Sequence, residues 1–269
     1  MTWPPLLLAA APNGARRTPA DHPALPVTPD AIAETAAACR DAGAAMLHLH
    51  VRDREGRHTL DPAAYREAIA AVRARVGDDL VIQITTESAG RFRPVEQIAA
   101  VRAVRPEAVS VAWRELAPDA RHERAAIAFL RWCRARGIRV QIILYTPDEV
   151  ARWRAVETRF PGIAGLPRLY VLGSYAGAQA DPADLFPFRQ ADAGSGAPWM
   201  VCAFGARETA CAAVAMALGG DVRVGFENNL TLPDGARAPD NAALVAAAAR
   251  AATAIGRTPA PVADLAARL

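Results

Sequence analysis

Residues 43–52 read GAAMLHLHVR, a short apolar run that follows a glycine and ends in two histidines. A run of this length and composition is typical of a buried β-strand. Successive side chains on a strand point to opposite faces, so His48 and His50 share one face at the end of this strand. Two neutral imidazoles placed in this way can bind one divalent cation. A hydrogen-bonded structural pair is the alternative for an isolated His-x-His sequence.

Similar apolar runs recur along the chain and alternate with longer amphipathic segments. We predict eight strands, at residues 6–11, 45–51, 80–85, 108–112, 139–145, 169–172, 199–204 and 222–226. Helices are predicted at residues 30–42, 62–76, 95–102, 120–136, 148–159, 182–188, 207–218 and 241–255. Four of these helices begin with a capping oxygen followed by a proline, at Thr28, Asp61, Thr146 and Asp181.

Eight strand–helix units in 269 residues predict an α/β protein with a (β/α)8 TIM-barrel fold. We expect a single domain over residues 1–269, with a short C-terminal extension after Gly256 that packs on the barrel or on a neighbouring subunit. An open doubly wound sheet is the alternative. No Gly-x-Gly-x-x-Gly motif follows the first strand, which disfavours a dinucleotide-binding version of that sheet.

The composition excludes two classes of enzyme and several partners. All 31 basic residues are arginine, so a Schiff-base aldolase or a pyridoxal-phosphate enzyme, which needs a deprotonated lysine, is excluded. The net charge of +3 and the scattered arginines argue against a nucleic acid partner. The four cysteines show no Cys-x-x-Cys spacing and are expected to be buried and reduced. No apolar run approaches the ~20 residues of a membrane span. We therefore expect a cytoplasmic protein without a membrane partner.

In a TIM barrel, functional residues lie where the strands end and the following loops begin. Strand 8 closes beside strand 1, which neighbours strand 2, so Glu227 is expected close to the two histidines. Two imidazoles and one carboxylate with an open fourth position form the ligand set of a catalytic zinc. Arg223, inside strand 8, is expected either to pair with a carboxylate or to bind an anionic substrate. Other polar residues at strand ends are Asn13, Thr85, Thr86, Glu87, Arg114, Glu115, Tyr145, Ser174, Tyr175, Asn228 and Asn229.

The remaining histidines and Asp53 are less informative. His22 and His58 fall in predicted loops, and His122 begins a helix beside charged residues. We expect all three to be solvated rather than to bind metal. Asp53 is expected to begin a turn that ends at Gly56.

Several segments carry a family resemblance that runs almost from end to end, at residues 14–15, 25–29, 43–52, 82–86, 171–173 and 223–229. They are similar to the β-keto acid cleavage enzyme family. The resemblance implies a zinc-dependent TIM barrel, usually a homotetramer. It further implies conversion of a β-keto acid and acetyl-CoA into acetoacetate and a new acyl-CoA. That chemistry needs no enzyme amine, in agreement with the missing lysine.

Roles can be carried over by matching positions. His48, His50 and Glu227 would bind Zn²⁺, although the same ligands suit other divalent metals. Arg223 would hold or polarise the reacting groups, and Thr85 would supply a hydroxyl. Asn228 stands where the best-known member has an Asp thought to be the base, and it is kept as a catalytic candidate. An Asn cannot accept a proton at neutral pH, so either another group such as Glu115, Glu87 or water is the base here, or the chemistry has changed. The substrate-binding candidates are Asn13, Arg16, Thr86 and Ser174.

In the amine-substrate member of the family, two acidic residues face the amino group of the substrate. In this chain Arg16 stands in place of the first, and apolar residues near Ile143 stand in place of the second. Their loss predicts a non-amino β-keto acid, and Arg16 suggests that the substrate carries a second anionic group. The loop at Ser174–Gly177 is shorter than in the family, and Ala206 stands where the family has Arg, which leaves open whether coenzyme A is used. The alternatives are a diverged metal-dependent lyase or hydrolase that does not use coenzyme A, and a metal-binding barrel without activity. An amidohydrolase is disfavoured, because it has His-x-His on its first strand and needs further histidine ligands.

Overall fold

The computed structural model describes residues 4–264. Eight parallel strands pair in chain order and the first pairs with the last, which closes the sheet into a barrel. The strands are β1 (Leu8–Ala10), β2 (Met46–Leu49), β3 (Val81–Thr85), β4 (Ala108–Ala112), β5 (Arg139–Leu144), β6 (Arg168–Leu172), β7 (Trp199–Ala203) and β8 (Asp221–Val224). The prediction of a (β/α)8 barrel is confirmed.

Helices surround the barrel and pack on branched apolar side chains of the strands. They are α1 (Pro29–Asp41), α2 (Pro62–Val76), α3 (Pro94–Val104), α4 (Trp113–Leu116), α5 (Ala120–Arg134), α6 (Pro147–Arg159), α7 (Leu185–Ala191), α8 (Glu208–Ala217) and α9 (Asn241–Ala254). The four predicted caps all accept a hydrogen bond from the first helical turn. Sequence reasoning did not predict α4, which places Glu115 on a short helix instead of a loop.

A hairpin interrupts the strand that was predicted at residues 45–51. Strand β2 ends at Leu49, and Val51–Arg52 then pairs with His58–Thr59. Asp53 accepts hydrogen bonds from the backbone of Glu55 and Arg57, which confirms that it begins a turn. His50 lies at the break between β2 and the hairpin, at the mouth of the barrel.

The described part of the C-terminal extension packs on the barrel, at the end opposite the strand termini that carry the histidines. The Ala260 amide donates to the carbonyl of Leu6, and the buried Arg257 pairs with Asp221 at 3.4 Å. The four cysteines are buried, as predicted. Within residues 4–264, no helix has the length and apolar character needed to cross a membrane.

Candidate active site

Three buried side chains that could bind a metal ion meet at the mouth of the barrel, and together they form the ligand triangle of His48, His50 and Glu227. Nε2 of His48 lies 3.0 Å from Nε2 of His50. Oε2 of Glu227 lies 3.5 Å and 3.4 Å from these two nitrogens, and the three residues are at most 5% exposed. A tetrahedral ion with bonds of about 2.0–2.1 Å holds its ligand atoms about 3.3 Å apart. The three atoms therefore fit one face of such a coordination sphere, and the fourth position would face the cavity.

The protonation states of these groups suit metal binding. Nδ1 of His48 lies 2.9 Å from Oε1 of Gln83. An amide oxygen only accepts, so Nδ1 carries the hydrogen and Nε2 keeps its lone pair. Burial, reinforced by the charge of Arg223, lowers the pKa of His48 to about 3, so the imidazole is neutral. Burial alone would raise the pKa of the Glu227 carboxyl, but the charge of Arg223 holds it well below its usual range. Glu227 is therefore a carboxylate.

Arg223 is buried beside Glu227, and two of its three guanidinium nitrogens have no hydrogen-bond partner among the described residues. Its Nη2 donates to Oε1 of Glu227 at 3.1 Å and also lies 3.4 Å from Oδ1 of Asn228. Of the two alternatives for Arg223, the contact with a carboxylate is present, and substrate binding stays a prediction. Among the described residues, Nε and Nη1 of Arg223 and Nδ2 of Asn228 are buried without a hydrogen-bond partner. The Tyr175 hydroxyl is in the same state. A substrate with several oxygens would satisfy these donors.

Two glycines allow the loops after β1 and β8 to come together. A Cβ on Gly225 (φ +141°) would lie 2.5 Å from the carbonyl oxygen of Ala11. A Cβ on Gly14 (φ +62°) would lie 2.6 Å from Cγ of Glu227. Both positions need glycine for space as well as for backbone conformation. This close approach places Glu227 next to the histidines.

Buried polar side chains hold the loop after β8 from behind. Oε1 of Glu208 accepts from the amide of Gly225 at 3.1 Å, and Oε2 accepts from Nδ2 of Asn229 at 3.2 Å. Oδ1 of Asn241 accepts from the amide of Phe226 at 2.8 Å. Burial raises the pKa of Glu208 to about 8, so this carboxyl is mostly protonated at neutral pH. Sequence reasoning missed both supports, because each is the first residue of a helix and resembles an ordinary solvated or capping side chain.

The cavity beside the ligand triangle has a polar side and an apolar side. Its lining residues are His48, Thr85, Glu87, Ala112, Ile143, Tyr145, Val171, Tyr175, Phe204, Arg223 and Glu227. Oε2 of Glu87 lies 4.0 Å from Nδ1 of His50. Burial raises the pKa of Glu87, which makes it a stronger base than an exposed carboxylate. Two of the predicted residues after β3, Thr85 and Glu87, therefore reach the cavity.

Glu115 and Thr86 lie outside this lining and make structural contacts. Oε2 of Glu115 accepts from the Ser88 amide at 2.8 Å and from Nε2 of Gln97 at 3.1 Å. Oγ1 of Thr86 donates to the carbonyl of Ser110 at 3.0 Å. Both side chains stabilise the loop after β3. Their predicted catalytic and substrate-binding roles stay predictions.

The other three substrate-binding candidates are also absent from the cavity lining. Nδ2 of Asn13 donates to the carbonyls of Pro26 and His50, so Asn13 positions the histidine backbone. Oγ of Ser174 accepts from the amide of Ala176 in a loop. Arg16 is exposed, and its guanidinium carbon lies 4.8 Å from the centre of the Tyr175 ring.

The expectation that His22 and His58 are solvated is wrong, since each is only 3% exposed. Nε2 of His58 lies 2.9 Å from the carbonyl of Glu87, and its ring centre is 5.3 Å from that of His50. Nε2 of His22 lies 2.8 Å from the carbonyl of Ala238. Both therefore anchor loops around the site, and neither belongs to the ligand triangle.

Comparison with known proteins agrees with this geometry. The model of the beta-keto acid cleavage enzyme family matches residues 5–269. The chain belongs to this family. It is 30% identical over 261 residues to the 3-keto-5-aminohexanoate cleavage enzyme of Fusobacterium nucleatum. The alignment covers 94% of this chain and 93% of that protein. It is 29% identical over 274 residues to the 3,5-dioxohexanoate:acetyl-CoA acetone transferase of Paraburkholderia graminis, with 89% and 87% covered. The protein is thus an enzyme that cleaves carbon–carbon bonds.

Solved structures support the fold. A binary complex of ObcA with oxaloacetate superposes with a TM-score of 0.71 at 17% identity. The match covers 90% of this enzyme and 66% of the ObcA chain, so this chain spans about two thirds of the length of ObcA. At this identity the likeness establishes the barrel and says nothing about substrates.

Proposed function

We propose that the enzyme is a zinc-dependent acyltransferase that converts a β-keto acid and acetyl-CoA into acetoacetate and a new acyl-CoA. The observation that carries this proposal is the ligand triangle of His48, His50 and Glu227 beside the unpartnered donors of Arg223. The family match and the acetyl-CoA-dependent relatives support the same chemistry. Homotetramer formation stays a prediction, which sedimentation of the purified enzyme would test.

The polar side of the cavity can recognise the β-keto acid head group. His48, His50 and Glu227 would hold the ion, which when bound acts as a Lewis acid on a carbonyl oxygen. Nε and Nη1 of Arg223 would donate to the substrate carboxylate, because they are buried donors without another acceptor in the described chain. The Tyr175 hydroxyl, which lines the cavity and is buried without a partner among the described residues, would donate to an oxygen that gains charge during the reaction. Asn228 does not line the cavity and would act through Arg223, whose Nη2 lies 3.4 Å from its Oδ1.

Glu87 is the proposed base. Asn228 cannot accept a proton at neutral pH, and Glu115 lies outside the cavity lining, with Oε2 bonded to the Ser88 amide and to Gln97. Glu87 would remove a proton from the carbon between the carboxylate and the keto group. That carbon then forms a bond to the thioester carbonyl, and coenzyme A leaves as its thiolate. The thiolate attacks the original keto carbon, and cleavage of the adjoining carbon–carbon bond gives acetoacetate, after protonation, and the new acyl-CoA.

The test combines metal analysis with acetoacetate release from acetyl-CoA and a panel of β-keto acids. We expect His48→Ala to lose both metal and activity, whereas His122→Ala, a matched change on α5, should retain both. Glu87→Gln should keep the metal but lower kcat by about 10²–10⁴-fold. Full metal occupancy in His48→Ala would overturn the ligand assignment. Cleavage of a β-keto acid without acetyl-CoA would replace the transferase by a hydrolase or lyase.

A further inference from the structure

The two sides of the cavity come from opposite parts of the barrel. On one side, its polar and charged residues His48, Thr85, Glu87, Arg223 and Glu227 belong to β2, β3 and β8 or to the loops that follow β3 and β8. Its apolar residues belong to β4, β5, β6 and the end of β7, namely Ala112, Ile143, Val171 and Phe204. A β-keto acid whose carboxylate and keto oxygen occupy the charged side must therefore extend its remaining carbons toward the apolar side.

The four apolar side chains offer no partner for a charged group, and Tyr145 and Tyr175, which follow β5 and β6, add only hydroxyl groups. The lining residues Ala112, Ile143, Val171 and Phe204 are each at most 8% exposed, so a substituent placed there leaves water. A buried charge without a partner is costly, whereas a hydrocarbon gains from the same burial. Of the charged lining residues, Glu87 and Arg223 lie with the ligand triangle and are already assigned to the head group.

Among the described residues, Arg223 is the one arginine that lines the cavity. Arg114 stacks on Tyr145, with its guanidinium carbon 3.5 Å from the ring centre, and its Nη1 lies 3.6 Å from Oε1 of Glu149. Its side chain is 48% exposed.

Two further arginines lie close to the cavity without lining it. Arg16 is exposed beside Tyr175. Nη2 of Arg17 donates to the carbonyl of Asn228 at 3.3 Å, and its Nη1 is buried without a partner among the described residues. The second anionic group that the sequence suggested would therefore have to reach an arginine outside the cavity lining.

The apolar side is also bounded by rigid walls. Its wall is formed by barrel strands, which cannot move apart without breaking their ladders. Aromatic rings bound the rest, since Tyr175 and Phe204 pack edge to face with ring centres 4.6 Å apart. Tyr145 lines the cavity next to them.

From these observations, and on the basis of the proposed function, we infer that the natural substrate is a β-keto acid with a short, uncharged hydrocarbon substituent. Ala112 and Val171 limit the length of that substituent. Charged β-keto acids are poor substrates, because they would bury a charge against an apolar wall.

The experiment compares three matched six-carbon β-keto acids at saturating acetyl-CoA. The substituent on the keto carbon is uncharged in 3-oxohexanoate, anionic in 3-oxoadipate and cationic in 3-keto-5-aminohexanoate. The expected kcat/KM for 3-oxohexanoate exceeds that for either charged compound by about 100-fold or more. A preference for 3-oxoadipate that is lost in Arg16→Ala would overturn the inference in favour of an anionic substituent. Silence on all three compounds by metal-loaded enzyme would instead overturn the proposed function, and this inference with it.

Two variants test the wall itself. Ala112→Leu should lower kcat/KM for 3-oxohexanoate at least tenfold more than for 3-oxopentanoate, because only the longer substituent reaches the added side chain. Val171→Ala should shift the preference toward longer chains and decides the matter if Ala112→Leu does not fold. Unchanged metal content serves as the control for both. Equal effects on the two substrates would show that these residues do not contact the substituent.

Discussion

The hydrogen bond that His48 donates to Gln83 determines which imidazole nitrogen of His48 faces His50 and Glu227. It exists because His48 and Gln83 are partners in the register of β2 and β3. Gln83 is held in turn, since its Nε2 donates to Oε1 of Gln141 at 3.2 Å. The orientation of a metal ligand is thus set by two further side chains inside the barrel.

Gln83→Leu should weaken metal binding by about 10–100-fold, because His48 loses the acceptor that fixes its tautomer and ring orientation. Competition with a chromogenic chelator measures the affinity. Gln141→Leu is the control, since it leaves the contact between Gln83 and His48 available and should have a smaller effect. Equal affinity in the wild type and Gln83→Leu would show that the tautomer is set in another way.

Gly14→Ala should damage both stability and metal binding. Its backbone lies in the left-handed region, and the added Cβ would force Glu227 to move. Gly56→Ala is the matched control, because Gly56 has φ +76° with nothing within 4 Å of the added atom. The control should cost only the backbone term of about 1–2 kcal/mol. Denaturant unfolding and metal titration of both variants would separate strain from displacement, and identical losses would contradict the clash.

At this scale the sequence predicted the candidate ligands but not their supports. His48 and His50 could be paired because side chains alternate along a strand, and Glu227 could be added because a barrel brings strand 8 beside strand 1. Contacts such as Gln83 to His48 depend on the register between strands, which the spacing within one strand does not contain. The substrate-binding role of Arg16 stays a prediction, because its position depends on the conformation of a loop.

Among the elements, the loop after β8 is held in place by the buried carboxyl group of Glu208. The buried carboxyl group of Glu208 accepts hydrogen bonds from the Gly225 amide and from the side chain of Asn229. The loop that carries Glu227 therefore rests on a carboxyl group that burial keeps protonated.

This arrangement predicts a pH-dependent stability. Below about pH 4.5 Glu208 is protonated in both states, and up to a pKa of about 8 only the folded enzyme keeps the proton. The folded state then binds more protons, so the free energy of unfolding falls as the pH rises, by at most about 1.4 kcal/mol per unit. Glu208→Gln lacks this contribution.

Thermal unfolding of the wild type and Glu208→Gln between pH 5 and 8 measures the effect. The advantage of the wild type should shrink steadily across this range. Glu67→Gln, an exposed change on α2, controls for the substitution and should show a constant difference. A constant difference for Glu208→Gln as well would mean that Glu208 ionises normally.

For the whole molecule, the eight-fold alternation of apolar runs and helices was enough to predict the barrel. Turn signals and caps separate the units, and the parallel sheet buries both faces of every strand. The hairpin after β2 could not be predicted in the same way. Its strands are two residues long, and the apolar run of residues 45–51 continues through the break at His50.

At the end of the barrel opposite the site, we expect a substitution that lowers stability and leaves metal binding unchanged. The buried guanidinium of Arg257 pairs with Asp221 and donates to the carbonyls of Pro4, Met216 and Gly220. Arg257→Ala removes this whole set at once and should lower the free energy of unfolding by about 3–5 kcal/mol. Arg250→Ala, an exposed change on α9, should cost almost nothing.

Denaturant unfolding measures this loss, and a metal titration under native conditions shows whether it reaches the site. We expect the metal affinity of folded Arg257→Ala to match that of the wild type, because the ligand triangle lies at the other end of the strands. A drop in metal affinity without a loss of stability would mean that the extension acts on the active site through the barrel. A barrel whose strands are held on all sides by their ladders should confine the damage to the end where it occurs.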